Sequence, residues 1–421
     1  MFSSAVPRPA LLNAPRAGRP LVLAACALTV CVLAVLPTPA RAQAFKRAET
    51  PGFVGVTGGR VAAGDFNGDG RADLLVSGVS ATTTVVTRIF VFAGEQERVD
   101  RGDTSYVATF NAVPIGIEQL YSGDVLLADV NADGRADVLV SGRRAAATPD
   151  PVTALYLNTG NATLGPAIAL GPALYNARLA FRGGLLARLG RTAGGALRTD
   201  VLRLVRSGTT VQAQPAATLE GVEFGAAAWG DCDGDGDFDL AVTGMRGTLP
   251  SATLYRNDGG AFVPLPAALP GVFLGDVAWA DVDGDGDEDL ALTGHAFGPA
   301  LVQGVTRLYR MDACAPAEVP LPAPYVAGHT IRFGDATGDG RADLVVSGLD
   351  GPLEAGRART FVLAGDGAGA FALAANTLGT LIGGGALLDY NNDGRLDVAL
   401  TGTVLGATGF VLLRGPGSVR R

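Results

Sequence analysis

WADVDGDGDEDLALTG, residues 279–294, sets aspartates at every second position from Asp281 to Asp289, with Glu288 among them, beside an apolar run. Carboxylates about 4 Å apart repel by roughly 4 kcal/mol at an effective dielectric of 20. Some must stay protonated unless a cation sits among them. The stretch therefore reads as a cation-binding loop leading into a strand.

The stretch recurs as DFNGDGRADLLVSG (65–78), DVNADGRADVLVSG (129–142), DCDGDGDFDLAVTG (231–244), DATGDGRADLVVSG (335–348) and DYNNDGRLDVALTG (389–402), six copies in all. Position 1 is Asp65, Asp129, Asp231, Asp281, Asp335 and Asp389. Position 3 is Asn67, Asn131, Asp233, Asp283, Thr337 and Asn391. Position 5 is Asp69, Asp133, Asp235, Asp285, Asp339 and Asp393, followed by glycine at position 6. Position 9 is Asp73, Asp137, Asp239, Asp289, Asp343 and Asp397.

First aspartates lie 64, 102, 50, 54 and 54 residues apart, so the long gap holds one more unit. There ARLAF-RGG-LLARLG (177–190) keeps two strand-like runs around a Gly-Gly turn, suited to a tight hairpin, and lacks the acidic loop. Seven units averaging 54 residues result, each with four short strands, such as FGAAAWG, DLAVTG, ATLYRN and AFVPLPA in the fourth. Radial repetition of four-stranded antiparallel units predicts a seven-bladed β-propeller. The last unit runs out of sequence before a fourth strand, whereas FKRAETPG, beginning at Phe45, supplies a spare one. The N-terminal strand is expected to complete the seventh blade, so residues 45–421 form one propeller.

Acids at 1, 3 and 5 with glycine at 6 wrap a hard cation in oxygen ligands. An EF-hand would place a bidentate glutamate at position 12, where Val76 and Leu292 stand here. Calcium suits so flexible an all-oxygen loop better than magnesium, and no His or thiolate convergence invites zinc. About six structural Ca²⁺ ions are expected, with none in the third unit and the weakest at Thr337.

Arg16 and Arg19 precede an apolar stretch (20–37) and a small-residue end at Ala42 and Ala44, the pattern of a secretory signal cleaved after Ala44. Residues 1–44 carry four arginines and no acid, so removing them takes the net charge from −8 to −12. That acidity argues against nucleic acid as a partner. Outside the signal, no segment reads as a membrane span. Cys232 and Cys314 leave one disulfide open. The expected product is a monomer that is secreted, periplasmic or on the cell surface.

The D-x-[DN]-x-D-G-x-x-D loop followed by an apolar strand resembles FG-GAP (VCBS-type) repeats, as in the seven-bladed head of integrin α-subunits. The resemblance implies side-chain ligands at positions 1, 3, 5 and 9, a carbonyl ligand at position 7, and ligand recognition on the face away from the calcium loops. Candidates on that face are Arg143, Arg144, Arg246, His295, Phe297 and Glu354. An RGD at residues 101–103 falls between the third and fourth strands of the first unit, where chance composition explains it. With only His295 and His329 and no nucleophile motif, the expectation is a non-catalytic binding or adhesion module for a glycan or an extracellular protein. The alternatives are a lectin or a lyase-like polysaccharide enzyme on the same scaffold.

Overall fold

The computed structural model describes residues 45–415 apart from 102, 146–149, 209, 299–301, 323–325, 351–356, 379–380, 382 and 405–406. The expected signal segment, Gly102 of the RGD and Glu354 lie outside the described residues. Every regular element among them is a β-strand. No helix there is long and apolar enough to cross a membrane.

Burial on both faces explains the apolar runs. In Asp73–Ser80, the second strand of the first unit, Leu74 and Val76 enter one core and Leu75 the next. Leu240 and Val242 divide from Ala241 in the same way, as do Leu344 and Val346 from Val345. A strand covered by a sheet on each side has no polar face to show, so its sequence does not alternate. Seven apolar cores separate the stacked sheets among the described residues.

Pairing within a unit is antiparallel and sequential, as in Phe273–Ala280, Asp289–Phe297, Val302–Arg310 and Ala317–Val319. The first strands also touch one another in series. Val56–Gly64 meets Leu120–Ala128, which meets Tyr175–Arg182, then Thr210–Gly230, Phe273–Ala280, Val326–Gly334 and Gly385–Leu388, and the last returns to Val56–Gly64. Residues from all of these strands line a shared axial cavity of about 500 Å³.

The sheets are fewer than the units, for two reasons. Thr210–Gly230 is one long strand, pairing with Leu197–Ser207 along its first part and with Asp239–Arg246 along its second. It turns near Gly221, where a Cβ would lie 2.4 Å from the Leu197 carbonyl oxygen, so third and fourth units share a seven-stranded sheet. Lys46–Glu49 pairs antiparallel with Ala407–Arg414 and parallel with Asp103–Val113. The spare N-terminal strand thus joins the last unit as expected, and it also covers the edge of the first, making one eight-stranded sheet. An edge strand left open would invite pairing with another chain.

Candidate functional site

The six acidic loops all follow the first strand of their unit, so they gather at one end of the axis. Their aspartates divide the work. Position 1 folds the loop: Asp335 accepts the amides of Gly338, Asp339 and Gly340 at 2.6–2.9 Å, and Asp65 does the same for Gly68, Asp69 and Gly70. Position 9 ties the loop to the sheet. Asp289 accepts Val282 N–H and Met311 N–H, both at 2.9 Å, and Asp73 accepts Phe66, Asn67 and Phe92 N–H. These carboxyls are wholly buried, and burial pushes Asp73, Asp137, Asp239 and Asp289 up to about 6 and Asp397 to about 8, with Asp343 also raised.

The third unit shows what position 9 does when no loop is present. Arg182 pairs with Leu185 where Gly64 pairs with Asp73, so Leu185 stands in place of the buried acid. Gly183 and Gly184 turn the hairpin with φ of 55° and 79°, as expected of the pair. Leu204 N–H, which has no carboxylate to meet, donates to the Gly184 carbonyl at 2.8 Å.

Positions 3, 5 and 7 sort the loops into two kinds. Where position 3 is Asn, its amide donates to the position-5 carboxylate: Asn67 to Asp69 at 3.0 Å, Asn131 to Asp133 at 3.0 Å, and Asn391 to Asp393 at 3.3 Å. Arginines add their charge, from Arg135 to Asp133, Arg341 to Asp339 and Arg414 to Asp393. In the fourth and fifth loops position 3 is Asp, and position 7 is Asp237 or Asp287 rather than Arg. There Asp231, Asp233 and Asp239 bring ligand oxygens within 4.8 Å of one another, as do Asp281, Asp283 and Asp285. Asp231 Oδ1, Asp233 Oδ1 and Asp283 Oδ1 are buried with no hydrogen-bond partner. Burial, then the neighbouring Asp235 or Asp285, raises Asp233 and Asp283. Buried carboxylate oxygens without donors fit a hard cation. Arg310, 3.6 Å from Asp283, is a partial substitute in the fifth loop. In the sixth, Thr337 Oγ1 is likewise buried and unpartnered.

The two most acidic loops are also fastened together. Asp231 N–H donates to Glu288 at 3.1 Å, and Glu288 N–H donates to the Asp231 carbonyl at 2.7 Å. Cys232 and Cys314 form a disulfide, settling the open pairing and holding the fourth loop to a turn of the fifth unit.

The candidate recognition residues fare unevenly. Arg143 lies over the Tyr121 and Tyr175 rings, Arg144 pairs with Glu118 at 3.1 Å, and Arg246 pairs with Glu220. Phe297 is 54% exposed. His295 is not a surface residue: it is 1% exposed, because its strand position turns the ring inward beside Phe273 and His329. Its ring nitrogens make no hydrogen bond of normal geometry, and burial lowers its basicity.

Sequence reasoning passed over the axial charges, although their signal is regular. Arg60, Asp124, Arg178 and Asp276 each stand five residues before position 1 of a loop, or before its counterpart in the third unit. All four line the axial cavity.

These features define an all-β repeat protein with an acidic loop after the first strand of most units. Residues 231–292 match the FG-GAP-like repeat, and residues 57–85 match the FG-GAP repeat. The chain therefore carries FG-GAP repeats in these two segments. Comparison with curated proteins finds no match.

Proposed function

We propose that the chain is an exported, calcium-stabilised and non-catalytic binding module built on a seven-bladed β-propeller. The blade count is supported by the closed series of first strands and by the apolar cores between successive units. The observation that carries the calcium reading is the set of orphaned oxygens on Asp231, Asp233 and Asp283. A bound divalent ion would supply charge compensation there. The chain's own part is to hold three carboxylates together through the position-1 turn and the position-9 tie.

Non-catalytic binding is favoured over lyase-like chemistry by the histidines. Burial and the neighbouring Arg60 push His329 down to about 3, and His295 is sealed in apolar packing, so neither is poised to move a proton near neutral pH. The partner is a glycan or an extracellular protein. A glycan array with and without chelator, run beside a lyase assay on mixed uronic-acid polymers, tests the reading. Binding without turnover supports it, and unsaturated products from any polymer sink it.

A further inference from the structure

The end of the axis away from the acidic loops is built by one repeated device. Seven residues before position 1, or its counterpart, stand Gly58, Ser122, Asn176, Phe224 and Leu274, all left-handed with φ of 49–60°. Each lies in a register shift between first and second strands. The next residue is glycine in four of the five, pressed against a second-strand carbonyl: a Cβ on Gly225 would sit 1.7 Å from the Thr243 oxygen. The bulge turns the preceding side chain onto the mouth of the axis. Glycine and asparagine take that conformation readily, whereas phenylalanine and leucine do so at a cost. Phe224 and Leu274 are nonetheless held there, 40% and 36% exposed.

Below this rim lies a cavity of about 270 Å³, and Arg60 and Arg178 line both it and the larger axial cavity. The acids nearby are engaged elsewhere. Asp124 accepts Leu179 N–H at 3.0 Å, while Asp276 accepts Ile331 N–H at 3.3 Å and pairs with Arg332. Arg60, only 8% exposed, donates Nη1 to the His329 carbonyl at 2.9 Å. Arg178 donates Nε to the Gly225 carbonyl at 3.0 Å. Neither has a carboxylate within ion-pair distance among the described residues. Asp276 and Asp124 act on Arg60 only from beyond direct contact, so no carboxylate closes on either guanidinium, whose planar fork matches one.

We propose that this mouth binds a small carboxylate carried on a six-membered ring. The carboxylate would lie against Arg60 and Arg178, the ring's apolar face on Phe224 and Leu274, and its polar edge by Ser122 and Asn176. The cavity has room for one ring and not for a drug-sized ligand. The inference deepens the binding-module reading and depends on it.

Calorimetric titration of the whole chain in calcium tests it, with galacturonate and benzoate as acids and galactose and benzyl alcohol as their neutral counterparts. At least one acid should bind tenfold or more tightly than its counterpart, and which one does so tells a sugar ring from an aromatic one. Arg178→Ala should weaken that acid at least tenfold. Phe224→Gly relieves the left-handed strain, so it stays folded, and it should weaken the ring-bearing acid severalfold while leaving acetate unchanged. Equal binding of acids and neutral compounds, or full affinity in Arg178→Ala, overturns the site. If an array ligand still binds Arg178→Ala, the site fails while the binding-module reading stands. If galacturonan binds here and is cleaved, the site stands and the non-catalytic reading fails.

Discussion

Arg182 and Glu288, 106 residues apart, meet in a two-pronged ion pair with N–O distances of 2.5 and 2.8 Å. Arg182 belongs to the unit without an acidic loop, and Glu288 to the loop richest in acid. The guanidinium also donates to the Trp229 carbonyl at 3.1 Å and lies 4.2 Å from the centre of the Phe238 ring. One side chain thus links the third, fourth and fifth units.

Arg182→Ala should lower stability by about 1–3 kcal/mol, since it removes a forked pair and a ring contact together. Arg182→Lys should recover only part of that loss, because an ammonium cannot make both bonds. Urea denaturation of both variants, with Glu288→Gln as the second arm of a double-mutant cycle, measures the coupling. Strict additivity would show the pair to be inert.

Calcium should enter in two stages. The fourth and fifth loops, with orphaned carboxylate oxygens and no arginine at position 7, should fill first. The others must displace an amide or a guanidinium from the position-5 carboxylate. Calorimetry should resolve two tight sites before weaker ones, and Asp283→Asn should remove one tight site. Six equal affinities would refute the ordering. At a hundredfold excess over its dissociation constant each ion adds about 2.7 kcal/mol, so chelation should lower the melting temperature markedly.

Reduction of Cys232–Cys314 should cost about 2–5 kcal/mol, as expected for a bridge closing a long loop across a separation of 82 residues. Because Cys232 is position 2 of the fourth loop, reduction should also weaken one tight calcium site. A thermal melt and a calcium titration, each with and without reductant, check both effects. An unchanged titration would mean that the bridge braces the sheets alone.

Acid should destabilise the fold through His329. Burial of its ring, and then the neighbouring Arg60 and His295, push it down to about 3. An unfolded histidine titrates near 6.5, so below that pH the unfolded chain binds a proton that the folded one refuses. The buried position-9 aspartates trend the opposite way, since their raised carboxyls take up protons in the folded chain. The contribution of His329 is complete above about 6.5 and is lost as pH drops toward 3, by roughly 1–2 kcal/mol at pH 5. His329→Gln should flatten this limb in denaturation measured from pH 7 to 5. A slope unchanged by the substitution would assign it to other groups.

The repeat made the all-β architecture legible, since Asp-Gly loops beside LLV, LAV or LAL runs leave little else to build. The missing acidic loop at Arg182 and the spare strand at Lys46 could be read from spacing alone. The long strand Thr210–Gly230 could not, because nothing local separates a turn near Gly221 from a break. His295 looked like a recognition residue since it follows a Thr-Gly strand end, but inward or outward orientation there depends on the bulge opposite. The division among acidic loops follows the arginine at position 7 (Arg71, Arg135, Arg341 and Arg395), a pattern visible in the sequence. Only Arg135 and Arg341 meet their own loop, however, while Arg71 lies over Phe92 and it is Arg414 that reaches Asp393.

The strand Lys46–Glu49 lies between Ala407–Arg414 and Asp103–Val113, so the ring's clasp joins segments more than three hundred residues apart. Contacts of such separation form late, because closing so long a loop costs entropy before any pairing rewards it. A nascent chain can pair Lys46–Glu49 with Asp103–Val113 early, but the other edge of that strand stays uncovered until residue 414 is available. The exposed edge in that interval is a template for a neighbouring copy, so crowded synthesis is where exchange of this one strand between chains would begin.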